Sequence, residues 1–194
     1  MSRSLRDVLH LVTIIRHDYN LGKAEALRSL FRYATQNPCA AMLVMDADGQ
    51  HPPEFIPEFL LTHKKYPRSL ILGNRLQFSQ KIPLLRRIGI FCADTLLSLI
   101  TGKNISDSQC GMRLIPAELF PYLLADSTKG FVAESNTIII AVKNGFSLRY
   151  VPIPAIYHQR QLSHYRTILD SLHIGFYLTK QVLKKCNLTA ALAS

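Results

Sequence analysis

Residues 40–54 read Ala-Ala-Met-Leu-Val-Met-Asp-Ala-Asp-Gly-Gln-His-Pro-Pro-Glu. The apolar run at 40–44 has the length and residue types of a buried strand, and the two prolines Pro52 and Pro53 open a helix-like pattern just beyond it. A strand therefore delivers two carboxylates, an amide and an imidazole to one loop. Asp46 and Asp48 stand at i and i+2, so in an extended turn both reach a single hard cation, with Gln50 adding a neutral oxygen. Oxygen ligands of this kind suit Mg²⁺ or Mn²⁺, ions that usually arrive with phosphates. A lone Asp-x-Asp pair is most often a solvated turn. Its position at the carboxyl end of a buried strand, where open α/β sheets bind ligands, is what marks a candidate site.

On both sides of this loop, strand-like and helix-like segments alternate. The run at 8–15 is apolar and β-rich, and Asn20-Leu21-Gly22 breaks it before a helical pattern through Ala24, Leu27, Leu30, Phe31 and Ala34. The periodicity predicts further strands at 40–45, 70–73, 109–115 and 147–151, and helices at 53–66, 84–100 and 131–143. Such alternation implies βαβ units and a mainly parallel sheet covered on both faces. An amphipathic helix follows at 165–185, with Lys180, Lys184 and Lys185 near its end. The expected organisation is one domain over residues 1–160 and a helical tail over 161–194.

A chain of 194 residues, 48% of them hydrophobic, holds one domain with a sizeable core. Its formal net charge of +10 calls for an anionic partner: a nucleic acid, a sugar nucleotide or an acidic membrane surface. Cys39, Cys92, Cys110 and Cys186 are scattered without a CxxC pair, which points to a reducing compartment and away from zinc or a disulfide framework. No signal peptide is evident in the first residues, and no stretch has the ~20 uninterrupted apolar residues that cross a bilayer. A soluble or peripheral protein is expected.

The motifs NLGKAEAL at 20–27, DADGQHPPE at 46–54, GNR at 73–75, SDSQCGMR at 106–113 and VPIPAIY at 151–157 occur in an order that resembles family 2 glycosyltransferases. The likeness is greatest to the dolichol-phosphate mannosyltransferase and polyprenyl-phosphate glycosyltransferase branch. It implies a GT-A fold, a Rossmann-like sheet binding a nucleotide sugar (a GDP- or UDP-hexose) through Mg²⁺ or Mn²⁺, and inversion at the anomeric centre. Carried over motif by motif, it makes Asp46 the first acidic residue at the donor and Asp48 and Gln50, with Asp46, ligands of the metal. Arg75 and Arg86 or Arg87 resemble the family's phosphate-holding arginines. Asp107 and Gln109 lie in the segment that approaches sugar and acceptor, and Arg113 ends that segment. Read in isolation, an Asp before a strand is more often a turn or cap residue.

Lys23 stands where a diphosphate contact is expected, although a single Gly-Lys is not a P-loop. Glu134 is placed in the first turn of its helix, where a carboxylate favours the helix dipole whatever else it does. His51 reads as a hydrogen-bonding residue of the Asp loop. Beyond the last strand, Arg160 and Ser163 alone match the family's diphosphate-closing segment. The segment at 82–100, with Arg86 and Arg87 before an apolar body, suits either a membrane interface where a polyprenyl phosphate enters or ordinary core packing.

Relatives begin with a strand carrying a Pro-x-Tyr-Asn-Glu-like motif and later an Asp-Asp-Gly-Ser, and this chain shows neither. At about 30 residues per βαβ unit, roughly sixty residues of the family domain are expected to lie outside it. The expectation is thus an N-terminally incomplete GT-A domain. Either it is a metal-dependent enzyme, whole or as the larger part of a split one joined by a separate N-terminal chain, working peripherally at the cytoplasmic face of a membrane, or it is an inactive remnant serving as a membrane-associated or partner-binding module. A nucleic-acid binder fits the charge alone, since no base-reading motif is present.

Overall fold

The computed structural model describes residues 12–77, 82–128, 130, 132–156 and 174–183. In chain order they form helix α1 (Lys23–Gln36), strand β1 (Ala41–Val44), a 3-10 turn (Pro53–Phe55) running into α2 (Ile56–Lys65), and β2 (Ser69–Asn74). Then come α3 (Leu84–Thr101), β3 (Arg113–Pro116), α4 (Phe120–Leu124), α5 (Val132–Lys143) and β4 (Ser147–Pro152). A last helix, α6, covers 174–183.

The strands make one four-stranded sheet in the order β1-β3-β2-β4. β1, β2 and β4 run the same way and β3 runs against them, so β2–β4 is parallel while β1–β3 and β3–β2 are antiparallel. The α/β sheet flanked by helices is as expected, but its pairings are mixed, not mainly parallel. The reversal has a direct consequence for function. β3 begins at the edge where β1, β2 and β4 end, with Arg113 opposite both Val44 and Leu72. The loop before β3 therefore joins the loops after the other strands.

β2 is one of the two interior strands, and its apolar run Leu70-Ile71-Leu72 is fully buried on both faces. Alternation sends Leu70 and Leu72 to one side, against Phe31 of α1, Leu97 of α3 and Ile138 of α5. Ile71 faces the other side, with Leu114, Val151 and Phe59 of α2. The described part of the expected C-terminal tail is helical, and it is packed into the domain: Ile174 and Leu178 of α6 join the first cluster, Leu178 with no exposed surface.

Two expected strands differ. Residues 12–15 form no ladder, and Val12 and Ile14 stand exposed. An apolar run becomes a strand only where a neighbour accepts its backbone bonds, and no described strand lies beside it. The strand expected at 109–115 starts only at Arg113, because 109–112 are drawn into a loop held by side chains.

Candidate active site

Lys23 opens α1 behind Gly22, whose φ of 82° turns the chain into the helix and whose N–H donates to Asn20 Oδ1 at 2.9 Å. The lysine faces the sheet edge. Its Nζ lies 2.6 Å from Asp46 Oδ1 and 2.5 Å from Glu134 Oε1, joining the loop after β1 to the first turn of α5. Burial pulls the Lys23 pKa down, but the attraction of Glu134 and the hydrogen bonds to Asp46 and Glu134 outweigh it and hold the ammonium above its ordinary value. It stays charged. On its far side Glu134 lies 3.7 Å from Arg113 Nη2.

His51 Nδ1 accepts the Asp46 N–H at 3.0 Å, so the ring's proton in the neutral form is on Nε2. Burial lowers its pKa, against the pull of Asp46 and Asp48. Gly111 packs flat against this pair. A Cβ there would meet the Asp46 carboxylate and lie 2.9 Å from His51 Cε1. The loop before β3 thus touches the loop after β1 at a point where only glycine fits.

At the end of β2, Arg75 and Asp107 form a buried pair. Asp107 Oδ2 accepts the Arg75 N–H at 2.7 Å and Nε–H at 2.8 Å, and Oδ1 accepts from Nη2 at 2.7 Å. Asp107 is 0% exposed. It was expected to approach sugar or acceptor, and its oxygens are enclosed with the Arg75 guanidinium. Arg113 is likewise interior: its Nε, Nη1 and Nη2 donate to the carbonyls of Cys110, Glu134 and Ser108 at 2.8, 2.6 and 2.6 Å. These bonds tie the loop before β3 to the first turn of α5. Gln109 donates to Ser135 Oγ at 3.2 Å. Burial pushes the Cys110 thiol up to about 11, which leaves it no nucleophile.

Asp48 is exposed, with Oδ1 accepting the Gln50 N–H at 2.9 Å. Among the described residues no three His, Cys, Asp or Glu side chains converge as a metal cage. Asp46 and Asp48 are two carboxylates of one loop, a donor set that leaves positions on a hard ion for substrate phosphate and water, as Mg²⁺ is usually held. Arg86 is half-buried and Arg87 exposed at the start of α3, beside the point where Ile82 and Ile90 pack on Leu76 and Ala155. Arg160 and Ser163 lie outside the described residues.

Two residues escaped the sequence reading, Gly111 and Asp94. Asp94 was detectable: Ile90, Ala93 and Leu97 form the buried stripe of α3, and Asp94 interrupts that stripe with a charge.

The model for glycosyl transferase family 2 matches residues 3–124, more than half of the chain. The chain belongs to this family. It is a glycosyltransferase. It is 28% identical over 174 residues to an uncharacterized protein of Methanocaldococcus jannaschii, covering 88% of this chain and 72% of that one. The UDP-N-acetylglucosamine–dolichyl-phosphate N-acetylglucosaminyltransferase of Methanococcus voltae is 25% identical over 171 residues, 86% of this chain and 68% of the relative. The undecaprenyl-phosphate 4-deoxy-4-formamido-L-arabinose transferase of Klebsiella pneumoniae is 24% identical over 152 residues, 78% of this chain and 42% of the relative. Among solved structures, glucosyl-3-phosphoglycerate synthase from Mycobacterium tuberculosis with uridine diphosphate superposes with a TM-score of 0.60 at 17% identity. That match covers 90% of the transferase and 58% of the neighbour, and it shows the shared GT-A-like fold.

Proposed function

We propose that this glycosyltransferase moves a hexose from a nucleotide-sugar donor to a polyprenyl phosphate, with inversion and with Mg²⁺ or Mn²⁺. The observation that carries the reading is the meeting at one sheet edge of the Lys23–Asp46–Glu134 cluster, the exposed Asp48 and the buried Arg75–Asp107 pair. Two relatives whose names specify dolichyl phosphate and undecaprenyl phosphate favour a lipid-phosphate acceptor.

In the reaction an acceptor phosphate oxygen forms a bond to the anomeric carbon as the bond to the diphosphate breaks, and the nucleoside diphosphate departs with the electron pair. The acceptor is already anionic, so a strong base is not required. Fixed positive charge is required, because negative charge enters on one side and leaves on the other. Arg75, held rigid by Asp107, supplies it at the end of β2, and Lys23 supplies it beside Asp46. Asp48 with Asp46 would hold a divalent ion, which when bound would supply positive charge to the departing diphosphate.

Lipid access has support on α3. Leu84, Leu85, Ile88 and Phe91 are 69%, 81%, 51% and 71% exposed, with Arg87 among them. An apolar face with arginines at its start suits the boundary of an anionic membrane, and the net charge of +10 has the matching sign. On this reading the enzyme works peripherally at a cytoplasmic membrane face.

The test is transfer of labelled sugar from UDP- and GDP-hexoses to polyprenyl phosphate in vesicles, with Mn²⁺ or Mg²⁺. Lipid-extractable label is expected. Label appearing only on a water-soluble phosphate acceptor, or no transfer from any common donor, overturns the reading.

A further inference from the structure

We propose that Asp94 is a positioning residue of the transfer site: its carboxylate fixes the backbone of Asp107 and Ser108 and, through Asp107, the guanidinium of Arg75. Asp94 lies on the buried stripe of α3 with only 7% of its surface exposed. A carboxylate there is costly unless its oxygens are fully used. They are used in an unusual way. Oδ2 accepts the N–H of Asp107 and Oδ1 the N–H of Ser108, both at 2.8 Å.

Two successive N–H groups converge on one anion where the backbone turns between right- and left-handed conformations, forming a cradle for negative charge. Asp107 supplies that turn. Its φ of 48° is the only positive value for a non-glycine residue among those described. With its N–H committed to α3, Asp107 directs its carboxylate to Arg75, whose backbone N–H, Nε and Nη2 all donate to it. The neighbouring N–H groups are captured in the same manner, that of Ile105 by Ser98 Oγ at 3.0 Å and that of Ser106 by the Tyr150 hydroxyl at 3.3 Å. Four consecutive amides of this loop are thus held by side chains, and Asp94 alone holds the two that orient Arg75. Burial, with Asp107 adding to it, raises the Asp94 pKa against these hydrogen bonds. Such a burden is explicable where the backbone geometry it enforces is needed.

One arm of the test rests on the transfer reaction proposed above and one does not. In the independent arm, hydrogen exchange is followed at the amides of Asp107 and Ser108 in the full chain. Asp94→Ala is expected to expose them while β2 amides stay protected, and Asp94→Asn, which keeps one acceptor oxygen, to fall between Asp94→Ala and the parent. In the kinetic arm, Asp94→Ala lowers kcat on the order of 10- to 100-fold, as misplacement of a positioning group does, with donor KM unchanged. Ser98→Ala frees the Ile105 amide and removes a hydroxyl bond to the Asp94 backbone carbonyl but leaves the Asp94 carboxylate in place, and it leaves kcat near the parent value. Unchanged exchange at Asp107 and Ser108 in Asp94→Ala overturns the proposal whether or not transfer is detected. If Asp94→Ala fails to fold, full protection and full kcat in Asp94→Asn overturn it, whereas partial loss of both sustains it.

Discussion

Arg75 and Asp107 meet fork to fork, with Nε 2.8 Å from Oδ2 and Nη2 2.7 Å from Oδ1, in a site where the aspartate has no exposed surface. Removing one partner leaves the other's charge buried without compensation, which costs about 3–5 kcal/mol. Asp107→Ala is expected to lose stability of that order in urea unfolding. Asp107→Asn should lose less, since Asn tolerates the left-handed backbone that Asp107 adopts and retains an acceptor. Arg75→Lys should not restore the parent, because a point charge cannot reproduce the fork. Equal stability of Asp107→Ala and the parent would refute the buried pair.

The metal prediction concerns Asp48. With no cage of three acidic or imidazole side chains among the described residues, Mn²⁺ alone should bind weakly, and a nucleotide sugar should strengthen it by supplying phosphate oxygens. Calorimetry is expected to show nucleotide-sugar binding that needs the ion and is abolished in Asp48→Ala. Binding unaffected by a chelator would remove the divalent ion from the proposed mechanism.

Gly111 offers a test of packing at the site without a backbone term. Its φ is not positive, so alanine is conformationally permitted there. Only space forbids it, because the added methyl would press on the Asp46 carboxylate and on His51. Gly111→Ala should cost roughly 1–3 kcal/mol as an overpacked contact and weaken metal-dependent donor binding by displacing Asp46 from Lys23. Parent-like binding in this variant would mean that the Asp46 position is not essential.

The readable parts of the fold were those whose signal is local. The apolar run before Asp46, the run ending at Arg75 and the helix opening on Lys23 each carry their own periodicity and punctuation, and they are where the sequence reading places them. The direction of β3 has no local signature. A strand pairs either way with the same alternation, and only the tertiary arrangement decides. That direction brings Gly111 to Asp46 and Asp107 to Arg75, and these contacts have no signature in the motifs themselves. Asp107 reads from sequence either as a group for sugar or acceptor or as a turn or cap residue, and in the fold its carboxylate is the partner of Arg75.

His51 predicts a pH dependence. Burial holds its folded pKa below the ordinary value of 6.5, so the neutral ring accepting the Asp46 N–H is the stable form. The unfolded chain takes up the proton first as pH falls. The contribution of His51 is therefore complete above about pH 6.5 and is lost as pH drops through the folded pKa. His51→Gln lacks this titration. The stability gap between parent and His51→Gln, read from urea midpoints between pH 7.5 and 5, should narrow on acidification. Parallel curves would show that the ring is not held neutral by the fold.

The last prediction concerns the exposed face of α3. Leu85 and Phe91 are 81% and 71% exposed, so replacing them leaves the core untouched, and surface changes of this kind typically move stability by less than about 0.5 kcal/mol. Their cost should appear only where the face meets lipid. Leu85→Glu/Phe91→Glu is expected to lose co-sedimentation with vesicles containing anionic lipid while keeping the parent's melting behaviour and donor binding. Arg87→Glu tests the electrostatic part separately: its loss of binding should shrink as salt rises, because screening removes what the arginine supplies. Transfer to a polyprenyl phosphate in vesicles should fall in the double variant more than transfer to the same acceptor in detergent. Unchanged sedimentation of all three substitutions would dissociate α3 from the membrane, and retention on DNA at physiological salt instead would assign the chain's positive charge to a nucleic acid.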